Sequence, residues 1–324
     1  MCTAILHGRY AGRNLDVDKN YGQEVIITPR NFAIPFKLMP TVHTHHAIIG
    51  MGISVDEYPL YFDAANEKGL YISGLNYLGN AKYMPRVIDK INLAPYELMI
   101  YLLAKCSSVA DAERELTSIS LVDVQFRPDI PLAELHFFIA DKGGAIVLEP
   151  DADGLKIYKS PTGVLTNNPP FPMQLFNLNN YMSLSSEPAE NRLCPSLPLT
   201  NYSFGMGAIG LPGDLSSMSR FVRASFHRSN SKSDAHLTDI MHLLSSVAMP
   251  YGSVRLGDGY EYTEYSSAVD LSDLVYSYRT YDSLSTYAVR LCDENMHGSD
   301  LIKYSLKREK EPFITNSSPG KASY

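Results

Sequence analysis

The 324-residue sequence contains no tryptophan and only four cysteines: Cys2, Cys106, Cys194 and Cys292. The cysteines lie far apart and form no CxxC pair. That spacing excludes a zinc ribbon or a dense disulfide framework, and it predicts free thiols in a cytoplasmic protein. Long apolar runs are missing as well. The opening "CTAIL" is too short for the core of a secretory signal, and no basic segment precedes it. No run approaches the roughly 18 apolar residues of a membrane span, so no membrane partner is expected. Nor is there a basic run. The densest charged stretch, "KREKE" at 307–311, mixes signs, and the net charge is −7. That balance argues against a nucleic-acid partner. Ligand clusters are scarce too. "HTHH" at 43–46 would place His43 and His45 on one strand face, but no acidic residue or cysteine lies near it. It reads as an exposed loop rather than a metal site. "GMGAIGLPGD" at 205–214 is rich in glycine but lacks both the lysine of a phosphate loop and a preceding buried strand. Neither a metal nor a cofactor is expected.

Hydrophobic residues make up 45% of the chain and charged residues 19%, as in an ordinary globular protein. The length allows one large core or two domains. Strand-like segments fill the first half: "EVIITPR" (24–30), "HAIIGMGISV" (46–55), "YPLYFDAA" (58–65) and "GLYISGLNY" (69–77), with a turn at "NEKG" (66–69). Apolar spacing predicts helices over 94–108 and 109–119. Strands resume as a hairpin at 134–150, turning at Lys142-Gly143-Gly144, and "GLKIYKS" and "GVLT" extend that meander. Helices are predicted over 170–184, 216–229 and 234–249, around a loop at 185–213. "EYTEYSSAVDL", "LVYSYRTYD" and "STYAVRL" return to strands. Blocks of like elements predict a layered α+β architecture rather than alternating βαβ units. One domain is expected, spanning 2–324 once Met1 is lost.

The chemistry begins at "MCTAI". Methionine is excised when the next residue is small, and Cys2 then carries a thiol and a free α-amine. An α-amine has a pKa near 8, so a neutral fraction exists at physiological pH to take the thiol proton. Alternatively, a cysteine at position 2 is incidental. "GRNLD" bears on the choice. A hairpin turning near His7–Arg9 would lay residues 12–16 beside residues 2–6, bringing Arg13 and Asp16 near Cys2. An arginine there favours thiolate, and a carboxylate can orient the amine. Strict alternation sends residues 13 and 16 to opposite faces, so both serve Cys2 only if the strand ends or bulges between them. The other reading is a surface ion pair after a turn. "LTNNP" at 165–169 reads either as a turn or as an amide donor for an oxyanion.

Together, "MCTAI", "GRNLD", "VIITPRN", "PLYFDAANEKGL", "GLNY", "LTNNP", "FNLNNY", "GLPGDLSSMSRFVRA" and "YRTYD" resemble the choloylglycine hydrolase family of N-terminal nucleophile hydrolases, over nearly the whole chain. The resemblance implies a four-layer αββα sandwich and hydrolysis of the amide joining a bile acid to glycine or taurine. It makes Cys2 the nucleophile, with Arg13 and Asp16 flanking it. Asn76 would give a backbone N–H and Asn167 a side-chain amide to the oxyanion, and Arg220 matches the remaining active-site arginine. Asn76 favours bile salts, since many penicillin acylases of the family carry Tyr there. The steroid would lie against Leu15, Tyr21, Val55, Phe126, Ile130 and Ala133. Phe204 departs from the Arg of relatives that look taurine-preferring, which leaves the glycine/taurine preference open. Family members are commonly homotetramers, with the 185–213 loop reaching toward a neighbour. Two alternatives keep the fold: a penicillin V or acyl-homoserine-lactone acylase, and a catalytically silent binding protein.

Overall fold

The computed structural model describes residues 1–231 and 235–310. Asp234 and Glu311, ends of two segments singled out above, lie outside the described residues, as does the rest of the expected domain beyond 310. In chain order, the hairpin β1 (Cys2–His7) and β2 (Tyr10–Val17) precedes β3 (Glu24–Thr28), β4 (Ile48–Val55), β5 (Tyr58–Asn66) and β6 (Tyr71–Asn76). The short β7 (Ile91–Leu93) leads through a 3₁₀ turn into α1 (Leu98–Lys105) and α2 (Val109–Leu116), then β8 (Ile119–Leu121). Next come β9 (Leu135–Asp141), β10 (Gly144–Asp151), β11 (Gly154–Lys159) and β12 (Val164–Leu165). Then follow α3 (Phe171–Asn177), α4 (Ser217–Asn230) and α5 (Leu237–Ser245). The described residues close with β13 (Val254–Leu256), β14 (Gly259–Asp270), β15 (Val275–Thr280), β16 (Tyr287–Arg290) and β17 (Ile302–Ser305).

Two antiparallel sheets carry the fold. One runs β12-β1-β2-β14-β15-β16, with β13 paired to β14. The other runs β11-β10-β9-β6-β5-β4-β3-β17. α4 and α5 pack on β1, β2 and β14 of the first sheet, while α1 packs on β5 and β6, and α2 on β9 and β10, of the second. The result is the expected αββα sandwich. Consecutive residues of the second sheet split between its faces. Ile27, Ile49, Phe138 and Val147 join the core shared with the first sheet, whereas Ile26, Ile48, Ile139 and Leu148 pack with α1 and α2. Burial on both faces explains why these strands read as nearly unbroken apolar runs.

Four expectations need correction. "GVLT" does not extend the meander: β12 leaves it and pairs with β1 in the other sheet, with Ala4 opposite Leu165. The helix expected over 94–108 starts as a 3₁₀ turn at Pro95–Glu97 and ends at Lys105, and that over 170–184 is α-helical only to Asn177. His45 is buried rather than exposed. Its ring nitrogens meet the carbonyls of His46 and Phe32 at 2.7 and 2.9 Å, which spends it on backbone satisfaction. The strands β7, β8, β13 and β17 were not foreseen. They are three or four residues long, too short for a periodic signal.

The N-terminal hairpin turns at Gly8, whose φ of +56° is left-handed and costs glycine no Cβ clash. The "NEKG" turn is locked through Glu67. Its carboxylate accepts from Arg30 Nε at 2.9 Å and from Ala47 N at 3.0 Å. The Arg30 bond, aided by Ala47 and opposed by burial, holds Glu67 down at about 2. A depressed folded-state pKa adds stability above the ordinary value, and that stability fades as pH falls toward the folded value. Glu67→Gln is therefore expected to melt below the wild type at neutral pH, with the gap closing between about pH 4.5 and pH 2 in a pH series of thermal melts.

Candidate active site

Cys2 begins β1 at the edge of a mostly apolar cavity of about 520 Å³. The register sets Cys2 opposite Leu15 and Ala4 opposite Arg13. Residues 2, 13 and 15 therefore share one face, turned toward the second sheet. Arg13 crosses the gap between sheets. Its Nη1 donates to Phe62 O and Gly74 O, both at 2.7 Å, and its Nη2 lies 2.6 Å from Cys2 Sγ. The guanidinium is fully buried. Burial works against its charge, but Cys2, Tyr265 and Asp63 outweigh that and push its pKa above the ordinary value. Asp63 accepts from Tyr265 OH at 2.6 Å, Tyr276 OH at 2.8 Å and Ser267 Oγ at 2.9 Å. Burial drives Asp63 upward, against Arg13 and these hydrogen bonds. The sequence reading passed over Asp63, because nothing local marks an aspartate inside an apolar strand as the partner of a distant arginine.

The opposite face of the hairpin holds a second cluster around the backbone of residue 2. Arg220, on α4, donates from Nη1 to Cys2 O and Thr3 Oγ1, each at 2.6 Å. Its Nη2 donates to Asn167 Oδ1 at 2.8 Å and its Nε to Leu215 O at 3.0 Å. Burial lowers the pKa of this guanidinium, while Asp16 and Cys2 oppose the shift. Asn167 Oδ1 also accepts from Cys2 N at 2.8 Å, and Asn167 Nδ2 donates to Asn76 O at 2.8 Å. Asp16 Oδ1 accepts from Thr263 Oγ1 at 2.6 Å. Asp16 Oδ2 lies 3.9 Å from Arg220 Nη1 and has no hydrogen-bond partner among the described residues.

β2 neither ends nor bulges between Arg13 and Asp16. The irregularity lies in its partner β14, between Thr263 and Tyr265. Alternation holds, and the two side chains do point to opposite faces. Both still bear on residue 2 because it ends the strand: its thiol faces Arg13, while its backbone faces Arg220 and, through it, Asp16. Met1 occupies the remaining space. Its ammonium donates to Asp16 O at 2.7 Å and pairs with Glu261, and its carbonyl accepts from Asp16 N at 2.9 Å. Burial lowers the pKa of this amine, partly offset by Cys2 and Asp16.

The cavity is lined by Cys2, Arg13 and Asn76, and by Leu15, Tyr21, Phe126, Ile130 and Ala133 of the expected steroid-binding set. Val55, the sixth of that set, and Phe204, singled out for the glycine/taurine preference, lie elsewhere. Val55 ends β4 at the turn through Asp56 and Glu57, and Ile53, two residues earlier, lines the cavity in its place. Phe204 is fully exposed on the 185–213 loop and takes no part in the cavity. Sequence reading missed Phe62, Tyr96, Met99 and Phe137 of the wall. In sequence they look like other core residues of their strands and helix, and only the gap between the sheets makes them a surface.

A family model described as linear amide C–N hydrolases, choloylglycine hydrolase family, matches residues 2–304. The chain is 45% identical over 324 residues to a bile salt hydrolase/transferase of Lactiplantibacillus plantarum, covering 98% of this chain and all of that one. It is 39% identical to a conjugated bile acid hydrolase of Lactobacillus gasseri, covering 94% of this chain and all of the relative. The crystal structure of a mutant conjugated bile acid hydrolase from Clostridium perfringens superposes with a TM-score of 0.92 at 32% identity, covering 98% and 100% of the two chains. A penicillin V acylase from Agrobacterium tumefaciens shares the fold, with a TM-score of 0.72 at 20% identity and coverage of 95% and 92%.

Arg220 satisfies four acceptors on three separate chain segments, a geometry that a single ammonium cannot reproduce. Arg220→Lys is expected to cost about 2–4 kcal/mol of unfolding free energy, because buried acceptors lose their donors. Urea denaturation of the variant beside the wild type measures it.

Proposed function

The chain belongs to the choloylglycine hydrolase family of linear amide C–N hydrolases, and on that premise we propose that it hydrolyses the amide of glycine- or taurine-conjugated bile salts, with Cys2 as nucleophile. The observation that carries this reading is the Cys2 thiol, 2.6 Å from a buried guanidinium and facing an apolar cavity large enough for a steroid body. Full-length similarity to enzymes named for bile acid hydrolysis supports the substrate class.

In the proposed cycle, loss of Met1 turns the Cys2 nitrogen into a free α-amine. That nitrogen already donates to Asn167 Oδ1, and Asp16 Oδ2, without a hydrogen-bond partner among the described residues, is the acceptor for a second N–H. The neutral amine takes the thiol proton, and Arg13 stabilises the thiolate. Sulfur attacks the amide carbon, the C=O electron pair moves to oxygen, and the oxyanion accepts from the Asn76 backbone N–H and the remaining N–H of Asn167 Nδ2. Each such donor is worth about 3 kcal/mol of barrier. Collapse breaks the C–N bond. The α-ammonium returns its proton to the departing nitrogen, leaving a thioester and free glycine or taurine. Water then attacks the thioester carbon and gives its proton to the amine; the C–S bond breaks, the bile acid leaves, and the ammonium returns the proton to sulfur. Arg220 holds the backbone of residue 2 throughout.

Two further assignments belong to this reading. The protein acts in the cytoplasm, in keeping with four free cysteines. It assembles as a homotetramer with the 185–213 loop reaching toward a neighbour, where Leu193, Tyr202, Phe204 and Ile209 are exposed, an apolar display that a lone protomer has no use for.

Cys2→Ala is expected to abolish release of glycine from glycocholate, a loss on the order of 10⁴-fold or more, while the thermal melt stays cooperative. Cys2→Ser should lose most of the activity, since a hydroxyl is far less ionised at neutral pH. Substantial turnover by the alanine variant would remove Cys2 as nucleophile. On protein whose intact mass shows Met1 gone, glycocholate and taurocholate should be cleaved much faster than penicillin V, and the reverse order sinks the substrate assignment.

A further inference from the structure

A buried imidazole–carboxylate pair lies directly behind Asn167 and takes no part in the chemistry above. His136 on β9 and Glu149 on β10 are both buried, with His136 Nδ1 and Glu149 Oε1 3.2 Å apart. His136 Nε2 faces Thr166 O at 2.8 Å. A carbonyl oxygen only accepts, so Nε2 carries the hydrogen and donates. Glu149 Oε1 also accepts from Phe171 N at 2.9 Å. The pair thus grips both ends of the segment 166–171 that presents Asn167. Gln174, on α3, closes the segment from the other side. Its Nε2 donates to Pro169 O at 2.8 Å and to Asn167 O, and its Oε1 accepts from Thr166 Oγ1 at 2.7 Å.

The same imidazole also touches the other proposed oxyanion donor's strand. Tyr77 stacks on it with ring centroids 4.5 Å apart and planes 5° from parallel, and Tyr77 directly follows Asn76. In the β6–β9 register, Leu75 lies opposite His136 and Asn76 opposite Leu135. Asn76 and Asn167 are themselves joined by the 2.8 Å bond from Asn167 Nδ2 to Asn76 O. One side chain therefore contacts the immediate chain neighbours of both donors. An apolar pair of similar volume would fill the space but leave Thr166 O and Phe171 N unpaired.

We propose that His136, held by Glu149, is a positioning residue that fixes the Asn167 amide against Asn76, so that both donors are aimed at the oxyanion before substrate arrives. The proposal rests on the reading of Asn76 and Asn167 as oxyanion donors. Its effect belongs to the transition state, so it falls on kcat rather than KM.

The test is a double-mutant cycle on the full chain with glycocholate, with a thermal melt for each variant. Asn167→Ala alone should lower kcat by about 10²–10³-fold. His136→Ala should lower kcat on the order of 10²-fold with KM within about threefold, as expected of a displaced group. The double variant should stay within about threefold of Asn167→Ala, because the amide that His136 fixes is gone. Glu149→Gln keeps Oε1 as the acceptor for Phe171 N and leaves His136 in place, so it should retain more of the kcat than His136→Ala does. Multiplying losses in the double variant, or a folded His136→Ala with unchanged kcat, overturn the proposal. Should His136→Ala not fold, His136→Gln keeps a donor for Thr166 O and carries the same cycle. The failures are distinguishable. No turnover of conjugated bile salts by the wild type refutes the proposed function, whereas an active Asn167→Ala refutes the oxyanion reading and this proposal with it.

Discussion

The Arg13 guanidinium is the interaction on which the rest of the site depends. It is buried between the two sheets, anchored on Phe62 O and Gly74 O of the second and reaching back to Cys2 Sγ on the first. A charge in that position is tolerable only with donors satisfied and opposite charge nearby. The Asp63 cluster supplies the balance, and Tyr265, Tyr276 and Ser267 tie that carboxylate to β14 and β15. The same contacts hold the sheets in register at the mouth of the cavity and place a positive charge on the thiol. Stability and chemistry are therefore not separable at this residue.

Arg220 plays the complementary part on the helix side. It reaches Cys2 O, Thr3 Oγ1 and Asn167 Oδ1 from α4, so the first strand, the Asn167 segment and the helical layer meet on one guanidinium. Two arginines thus bracket residue 2, one per face, and neither competes for the atoms the other uses. This division follows from the alternation of β2, which puts residues 13 and 15 on the cavity face and 14 and 16 on the helix face.

Much of this was legible in the sequence, for reasons that can be named. The strands and helices that were read correctly are those with several residues of unbroken periodicity and a glycine, asparagine or proline at the boundary, such as β5, β6, α4 and the β9–β10 hairpin. The short strands β7, β8, β13 and β17 owe their conformation to partners distant in the chain, and a local window holds no trace of that. β12 failed differently: its apolar pattern was right, but which sheet it joins is decided by pairing with β1, some 160 residues away. Among site residues, those in the compact motifs "GRNLD" and "LTNNP" come together around residue 2. Phe204, in the middle of the 185–213 loop, and Val55, at the end of β4, do not line the cavity, whereas the loop residues Tyr21, Phe126, Ile130 and Ala133 do. Such positions take their direction from tertiary contacts, which the sequence does not display.

The difficulty over alternation was a difficulty about side chains, and residue 2 escapes it by ending the strand, its thiol facing Arg13 and its backbone Arg220. An interior strand residue offers one side chain to one face, and its backbone nitrogen is an amide engaged in a ladder. At an N-terminus the nitrogen becomes a base, and it lies off the strand axis within reach of the opposite face. Nucleophile and base can then be held by separate clusters, Arg13 with Asp63 on one side and Arg220 with Asp16 and Asn167 on the other. Each cluster sets its own electrostatics. A side-chain base on the same face as the thiol would instead have to share space and charge with Arg13. On the proposed reading, the N-terminal nitrogen is thus what lets sulfur and base meet different partners, Arg13 stabilising the thiolate and Asp16 the ammonium that forms.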